Sequence, residues 1–363
     1  MLTLKDFDYQ LPPSLIAHQP LRHRDHSRLL FFNRLTQTWS HHHFYDLPQL
    51  LQATQKKYVF VRNNSQVIPA RLHGYKKTLG KVEVFLIKQI KNQDHYQIWE
   101  CLTKPGLKNN QVINFPQFQI QAQCLNYQGE YTRQLKFNCS LEKFHQMLNT
   151  IGQTPIPPYI KSTLNEETLR QVYQTTYASQ PGSVAAPTAG LHFTADLTQK
   201  LTNLGYDFID LTLHVSLGTF LGVKCNNIEK HQMHSEKYEI NSLAAEKIQS
   251  AIKMQKKIID IGTTSTRVLE TIAHHQKENF QAHAGETSIY LYPPKKFKLT
   301  SGLITNFHLP QSTLLMLVAA FTHHPNASPI FQTWSQSSIG AAYQAAISQQ
   351  YRFFSFGDAM LIL

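Results

Sequence analysis

Apolar and polar residues follow a regular order through the second half of the chain. Residues 208–215 alternate between apolar and polar side chains, which predicts a strand with one buried face. Residues 257–261 and 303–309 predict two more strands, and helices are predicted at 243–254 and 314–321. Because strands and helices alternate, this part of the chain predicts an α/β domain.

Shorter segments extend the α/β pattern. An apolar run at 29–32 predicts a strand, and the aromatic-rich residues 351–354 predict the last strand of the chain. Helices are predicted at 47–51 and 166–177. The three consecutive histidines at 41–43 are expected to lie in a loop before the first of these helices.

The segment between residues 61 and 145 has a different pattern. Short alternating runs between residues 81 and 122 are separated by glycine and asparagine, which predicts a small antiparallel barrel or sandwich. The expected fold class is therefore α/β, a large discontinuous domain with an inserted small antiparallel β-barrel domain. We expect the α/β domain to comprise residues 1–62 and 151–363, and the barrel to comprise residues 63–150.

The composition of the chain indicates the kind of partner it binds and the cellular compartment in which it works. The 363 residues carry a formal net charge of +12, which favours a nucleic acid or another polyanion as partner. Arg22, Arg24 and Arg28 form a cluster, and guanidinium groups bind phosphate or carboxylate through two parallel hydrogen bonds. The four cysteines form no CxxC pair, and the sequence contains neither a signal-peptide pattern nor an apolar run long enough to span a membrane. The expected localisation is cytoplasmic.

The loop at residues 181–194 is almost uncharged and is the first candidate functional segment. Its two prolines forbid a continuous helix, and its two glycines allow close approach of the backbone. Long loops inside compact domains are usually functional, although a structural crossing loop is the alternative. Thr194 is expected to cap the helix that follows, which would end at Gly205.

The turn at residues 262–267 is the second candidate segment. Gly262 ends a predicted strand, and the hydroxyl residues Thr263, Thr264 and Ser265 stand at the start of a helix. The unpaired N–H groups of a first helical turn attract an anion or a carboxylate. Ordinary capping of the helix by Thr264 or Ser265 is the alternative interpretation.

Four histidines stand where acid–base chemistry could use them: His192, His214, His234 and His308. Histidine exchanges a proton near neutral pH, and His234 has Glu236 close by in the sequence, which makes them the best acid–base pair. Each histidine taken singly is more commonly structural. The spacing around His234 is not that of a zinc site, so we expect no metal.

The ordered set of segments resembles one family, the S-adenosylmethionine:tRNA ribosyltransferase-isomerases of queuosine biosynthesis, over almost the whole chain. The segments that carry the resemblance are Asp6-Phe7-Asp8-Tyr9-x-Leu11-Pro12, Pro20-Leu21, Arg24-Asp25-x-Ser27-Arg28-Leu29-Leu30, Val67-Ile68-Pro69-Ala70-Arg71-Leu72, Pro157-Pro158-Tyr159-Ile160, Tyr173-Gln174-Thr175-x-Tyr177-Ala178, residues 181–194, Thr212-Leu213-His214-Val215, Leu217-Gly218-Thr219-Phe220, Met233-His234-Ser235-Glu236, Gly262-Thr263-Thr264-Ser265-x-Arg267, residues 303–316 and residues 351–360. The sequence departs from the family pattern at Gln66, Ser162 and Ser216.

The resemblance implies an activity and its partners. The family transfers the ribosyl part of S-adenosylmethionine to 7-aminomethyl-7-deazaguanine at the tRNA wobble position and isomerises it, giving epoxyqueuosine and releasing adenine and methionine. S-adenosylmethionine is then a consumed cosubstrate, and neither a cofactor nor a metal is expected. The resemblance also implies an α/β domain with an inserted β-barrel. We expect a monomer that binds this tRNA and does not bind a membrane.

The implied chemistry assigns hypothetical roles to particular residues. A proton beside the sulfonium must be removed, and the candidates for its base are His192, His214, His234 and Glu236. The residues expected to bind S-adenosylmethionine are Thr188, Gly190, Gly262, Thr263, Thr264, Ser265, Arg267, Asn306 and His308. The residues expected to bind tRNA are Arg22, Arg24, Arg28, Arg71 and Arg352.

Three other functions remain open from the sequence. A non-enzymatic RNA-binding protein would explain the positive charge, and a metal-dependent hydrolase would use the histidines. An ordinary methyltransferase would share the cosubstrate. The small products separate the last alternative, because methyl transfer releases S-adenosylhomocysteine whereas ribosyl transfer releases adenine and methionine.

Overall fold

A computed structural model describes residues 1–128, 132–157, 159–216, 222–223, 225–276 and 280–363. Two pieces of the motifs above, Pro158 and the run at 217–220, lie outside the described residues.

The described strands and helices, in chain order, alternate after the barrel as the sequence predicts. The strands are β1 (Arg28–Asn33), β2 (Thr38–His43), β3 (Tyr58–Asn63), β4 (Ser65–Val67), β5 (Arg71–Lys76), β6 (Lys81–Gln93), β7 (Tyr96–Lys104), β8 (Val112–Phe115), β9 (Ile120–Gln128), β10 (Thr132–Phe137), β11 (Gln180–Ser183), β12 (Asp207–Leu213), β13 (Glu236–Ile240), β14 (Lys257–Ile261), β15 (His283–Thr287), β16 (Thr300–Asn306) and β17 (Ala359–Ile362). The helices are α1 (Leu47–Ala53), α2 (Leu141–Ile151), α3 (Glu166–Val172), α4 (Ala195–Asn203), α5 (Ser242–Lys253), α6 (Thr263–His275), α7 (Thr313–Thr322) and α8 (Ser338–Ser348).

Nine of the described strands form one large sheet in the order β15-β13-β12-β3-β14-β16-β17-β1-β2. The four central strands β12, β3, β14 and β16 are parallel, so their carboxyl ends meet at one edge. The strand β17 runs antiparallel to β16 and parallel to β1, and it joins the two halves of the sheet. An edge built from the ends of parallel strands is where open α/β sheets bind ligands.

The central strand β3 shows how the sheet is covered on both faces. Val59 and Val61 pack in one apolar cluster with residues of α5 and α6. Tyr58 and Phe60, which point the other way, pack in a second cluster with residues of α1 and α4. A strand that is buried on both faces has a nearly continuous run of apolar residues. Helices on both faces of the sheet give the three-layer arrangement of an α/β domain.

The strands β5 to β10 form a closed antiparallel barrel in the order β10-β7-β6-β5-β8-β9. The helix α2 follows and packs against the barrel, with Phe144 stacked on Trp99 at 5.5 Å and edge-on to Phe137 at 4.9 Å. The predicted fold class, an α/β domain with an inserted small barrel, is confirmed. The boundaries at residues 63 and 150 stay a prediction.

Local predictions were confirmed where one strand or helix carries its own pattern. The predicted strand at 257–261 has the bounds of β14, and β12 buries alternate residues. The hydroxyl of Thr194 accepts from the Leu197 N–H at 3.2 Å and caps α4, and Gly205 follows that helix with a φ of +85°.

Three local predictions were wrong. Residues 41–43 lie in β2, an edge strand paired with β1, rather than in a loop. The last strand is β17 rather than residues 351–354, because Phe354 has a φ of +69° and the Phe353 N–H donates to the Leu15 carbonyl. The helix predicted at 166–177 is shorter, since α3 ends at Val172 and Tyr173 leaves the helical conformation. Arg24 donates to the carbonyls of residues 171, 172 and 174, which this end of the helix leaves free.

Two findings concern the part of the chain that the structure describes. Within it, every helix is too short or too polar to cross a bilayer. No group of three or more His, Cys, Asp or Glu side chains there is arranged to hold a metal ion.

Candidate active site

A cavity lies where the carboxyl ends of β14 and β16 meet, and it contains about 980 Å³ of empty space, counting its open mouth. Its walls come from distant parts of the sequence: the loop at 185–189, the turn into α6, residues 305–314, and residues 354–355 with Tyr159. Six of the residues predicted to bind S-adenosylmethionine line it: Thr188, Gly262, Thr263, Thr264, Asn306 and His308.

The amino terminus of α6 opens toward this cavity. Gly262 has a φ of +87°, a conformation that favours glycine, and it occupies the N-cap position without a side-chain cap. The interpretation that Thr264 or Ser265 caps the helix is therefore wrong, and the Ser265 hydroxyl instead donates to the Ile261 carbonyl at 3.0 Å. The Thr264 hydroxyl is buried and has no partner among the described residues. The first turn thus offers unpaired N–H groups to an anionic group in the cavity.

The loop at 181–194 reaches the cavity beside the start of α6, because a Cβ atom at Gly262 would lie 3.6 Å from that of Ala189. The Thr188 hydroxyl donates to Asn306 Oδ1 at 2.9 Å and joins this loop to the end of β16. Gly190 lies behind, where a Cβ atom would overlap the Tyr177 hydroxyl. Gly190 therefore allows close packing of the loop rather than lining the cavity.

His308 is the histidine that lines the cavity among the described residues. Its Nε2 lies 2.7 Å from the Thr305 hydroxyl, which fixes the orientation of the ring. Burial lowers the pKa of His308 to about 3, so the imidazole is neutral at pH 7 and keeps a lone pair.

His192 is buried behind the cavity rather than in its wall. Its Nδ1 lies 2.7 Å from the Ser27 hydroxyl and its Nε2 lies 3.3 Å from Asn306 Nδ2, while the ring stacks on Phe44 at 4.9 Å. Burial lowers the pKa of His192 to about 4. Both ring nitrogens are engaged by the protein, so the ring is held neutral and fixed.

The structure places the other candidate bases outside the cavity wall. His234 is exposed, and His214 packs its ring against Gly182. Burial, followed by the nearby Lys237, lowers the pKa of His214. Glu236 is only 2 % exposed and accepts hydrogen bonds from the Ser216 N–H at 2.9 Å and from Arg267 Nη1. Of the two residues predicted as a pair, His234 is therefore exposed to solvent, whereas Glu236 is buried and pairs with Arg267.

Arg267, predicted to bind S-adenosylmethionine, is 4 % exposed and forms an ion pair with Glu236. Its Nε and Nη2 have no hydrogen-bond partner among the described residues. Arg267 lies one helical turn beyond Thr263 on α6, so the pair ties this helix to the start of β13.

The predicted tRNA-binding arginines differ in how free their guanidinium groups are. Arg24 donates to three carbonyls at the end of α3, and Arg28 Nε pairs with Asp358 at 3.3 Å. Arg352 donates to the Gln19 carbonyl, and Arg71 pairs with Glu83 at 3.3 Å. Arg22 is exposed.

Sequence reasoning missed three residues at this site. Thr305 orients His308, Ser27 holds His192, and Ser355 lines the cavity beside Tyr159. Each stands within a segment that carries the family resemblance. Small hydroxyl residues in such segments were the available signal, but only the fold shows that Thr305 and Ser27 contact histidines and that Ser355 contacts Tyr159.

Acid is expected to destabilise the protein through His192. An unfolded histidine binds a proton near pH 6.5, whereas folded His192 does so only near pH 4. The unfolded state therefore binds more protons as the pH falls from 6.5 to 4, and His192 lowers the free energy of unfolding by roughly 3 kcal/mol over that window. Urea unfolding of wild type and His192→Phe across pH 4 to 7.5 measures the difference. Equal pH dependence in both proteins would contradict the prediction.

The comparisons with known proteins cover the whole chain. A family model described as "Queuosine biosynthesis protein" matches residues 4–362. The chain is 44 % identical over 362 residues to the S-adenosylmethionine:tRNA ribosyltransferase-isomerase of Thermosipho africanus, covering 99 % of this chain and 100 % of the relative. It is 42 % identical over 365 residues to the protein of the same name from Desulforamulus reducens, covering all of both.

A solved structure is similar over the same extent. The crystal structure of S-adenosylmethionine tRNA ribosyltransferase from Thermotoga maritima matches with a TM-score of 0.53 and 33 % identity. The match covers 99 % of this chain and 100 % of that one.

Proposed function

Because the chain belongs to the queuosine biosynthesis family of S-adenosylmethionine:tRNA ribosyltransferase-isomerases, we propose that it transfers the ribosyl group of S-adenosylmethionine to 7-aminomethyl-7-deazaguanine at the wobble position of tRNA. Isomerisation of the ribose gives epoxyqueuosine, and adenine and methionine leave. The reaction consumes S-adenosylmethionine and needs no metal.

One observation carries this proposal: segments that resemble the family, far apart in the chain, meet at one cavity. The loop at 181–194, the turn at 262–267, the segment at 303–316 and the loop at 351–358 all contribute to its walls. The cavity combines apolar surface with a few polar groups, which is the usual composition of a small-molecule site.

Two groups of residues that line the cavity suit different parts of S-adenosylmethionine. At the start of α6, the unpaired N–H groups and the Thr264 hydroxyl suit the methionine carboxylate. Apolar residues such as Phe307, Leu309 and Phe354 suit the flat face of adenine. Arg267 supports this arrangement indirectly, because its partner is Glu236 and it fixes α6 in place.

His308 is the group best placed to take the proton beside the sulfonium. It lines the cavity and its Nε2 is held by Thr305. The lowered pKa keeps the ring unprotonated at pH 7 but makes it a weaker base than a free imidazole, so its position in the cavity is what favours it. When Nε2–H donates to the Thr305 oxygen, the lone pair of Nδ1 is left for the substrate proton. His192 lacks this freedom because both of its ring nitrogens have protein partners.

The test is incubation with S-adenosylmethionine and a tRNA that carries 7-aminomethyl-7-deazaguanine. Mass spectrometry of the digested nucleosides and of the small molecules should find epoxyqueuosine, adenine and methionine, with the same yield after treatment with a chelator. Release of S-adenosylhomocysteine would instead indicate methyl transfer. Tight tRNA binding with no change in mass would overturn the proposal.

The exposed guanidinium of Arg22 is expected to contact a tRNA phosphate. Arg22→Ala should weaken tRNA binding and make the slope of log affinity against log salt shallower by about 1, because one fewer counterion is released. Binding measured by fluorescence anisotropy at several salt concentrations gives that slope. Arg22→Lys is the matched control and should keep it, and an unchanged slope in Arg22→Ala would remove Arg22 from the interface.

A further inference from the structure

Four side chains from distant parts of the sequence form one hydrogen-bonded chain behind the cavity. Ser27 Oγ lies 2.7 Å from His192 Nδ1, and His192 Nε2 lies 3.3 Å from Asn306 Nδ2. Asn306 Oδ1 in turn accepts from the Thr188 hydroxyl at 2.9 Å. Ser27 and His192 are buried, whereas Asn306 and Thr188 both line the cavity.

The orientation of the Asn306 amide follows from its third neighbour. Asn306 Nδ2 lies 3.5 Å from the carbonyl oxygen of Asp358, and a carbonyl oxygen can only accept. The NH₂ group must therefore face Asp358 and His192, and the amide oxygen must face Thr188. The carbonyl of Asp358 is itself well fixed, because the Asp358 carboxylate accepts from the backbone N–H groups of Arg28 at 2.9 Å and Arg352 at 2.8 Å.

The tautomer of His192 follows from the same orientation. Since Asn306 Nδ2 donates, His192 Nε2 must accept, and a neutral imidazole then carries its proton on Nδ1. That proton points to the Ser27 oxygen, and the backbone carbonyl of Arg24 also accepts from the ring. Burial lowers the pKa of His192 to about 4, which keeps this neutral form at pH 7.

The result is an edge of the cavity that can only accept hydrogen bonds. Both N–H groups of Asn306 are used by the protein, and the Thr188 proton is used by Asn306. What remains toward the cavity is the second lone pair of Asn306 Oδ1 and the lone pairs of Thr188 Oγ1.

We propose that His192 is a positioning residue, and that Ser27 and His192 hold the Asn306 amide so that Asn306 and Thr188 select a hydrogen-bond donor on the bound cosubstrate. The proposal rests on the proposed function for the identity of that ligand. S-adenosylmethionine offers two kinds of donor, the amino group of adenine and the ribose hydroxyls. A site that is built to bind a donor rejects an analogue that lacks it, because the buried acceptors are then left unpaired.

The experiment measures selectivity rather than activity alone. Calorimetry gives the affinity of the intact protein for S-adenosylhomocysteine, an unreactive probe, and for three analogues of it. One analogue carries a 6-oxo group in place of the adenine amine, and the others lack the 2′- or the 3′-hydroxyl. Wild type should bind one of the analogues at least 10-fold more weakly than the probe, and that analogue identifies the donor.

Two substitutions at His192 then separate positioning from other roles. In His192→Gln the side-chain oxygen can still accept from Asn306, so the selectivity should be kept. In His192→Phe the ring still stacks on Phe44 but cannot accept, so the amide is released and the selectivity should fall to about 1 to 3-fold. A purely structural loss would weaken all four ligands equally and leave the ratio unchanged.

Three outcomes would overturn the proposal. The first is equal affinity of wild type for all four ligands. The second is a selectivity that His192→Phe retains. The third is a loss of about 100-fold in kcat of His192→Gln together with the loss of one ionisation from its profile of kcat against pH, which would make His192 an acid or a base. If His192→Phe does not fold, His192→Leu takes its place, because leucine likewise offers no acceptor to the Asn306 amide. Formation of epoxyqueuosine by wild type tests the proposed function separately.

Discussion

Arg267→Ala is expected to lower the free energy of unfolding by about 3–5 kcal/mol, because it leaves a buried carboxylate without its guanidinium partner. Glu236 is 2 % exposed and Arg267 is 4 % exposed, so solvent does not stabilise the carboxylate as well as the guanidinium group does. The sequence suggested that Arg267 binds the substrate, and the variant would then stay as stable as wild type. Urea unfolding monitored by circular dichroism distinguishes the two interpretations.

Matched variants show whether the lost charge pair is the cause. The double variant with Glu236→Gln and Arg267→Met removes both charges and should recover much of the lost stability, since a neutral pair of similar size can replace a buried ion pair. A loss of less than 1 kcal/mol in Arg267→Ala would contradict a structural role. Arg267 would then return to the list of substrate-binding residues.

His308→Ala is expected to reduce kcat by a factor of about 10² to 10⁴, the usual contribution of a general base. His308 lines the cavity and its ring is held by Thr305 at 2.7 Å, whereas the other candidate histidines lie behind the wall or at the surface. Release of adenine in a single turnover, with the enzyme and the tRNA both in excess over S-adenosylmethionine, measures the rate of the chemical step.

The exposed His275 on α6 provides the matched control, and His275→Ala should keep the wild-type rate. Affinity of His308→Ala for S-adenosylhomocysteine separates catalysis from binding. A rate within 3-fold of wild type would exclude His308 as the base. A normal rate constant with weak binding would assign it to substrate contact alone.

The strands and helices that could be predicted were those whose own residues carry a pattern of apolar and polar positions. In β12 Ile209, Leu211 and Leu213 alternate with less buried residues because one face is buried. In β14 residues 258–261 are all buried, and three of these four are isoleucine, because both faces of the strand are covered. The edge strand β2 has no such pattern, since its side chains are exposed or half-buried and it is held in place by pairing with β1. Residues 351–354 have the composition of a strand because a loop there fills the core beside α8.

The sequence indicated which segments form the candidate site, but it did not indicate which side chains contact each other there. Gly262 and Thr188 stand in segments whose composition indicates function, and both line the cavity. The partner of Arg267 lies on β13, and the partner of His192 precedes β1, so neither could be found from sequence spacing. Proximity in sequence likewise paired His234 with Glu236, although the strand turns Glu236 inward and leaves His234 at the surface.

The position of β17 between β16 and β1 sets the order in which the sheet can assemble during biosynthesis. A ribosome adds about 5–20 residues per second, so β1 waits on the order of tens of seconds before β17 emerges to pair with it. The barrel strands β5 to β10 are contiguous in the chain and can close during that time. Until β17 arrives, the edges of β1 and β16 that pair with it present unpaired backbone N–H and C=O groups, so the incomplete sheet is open to pairing with other chains.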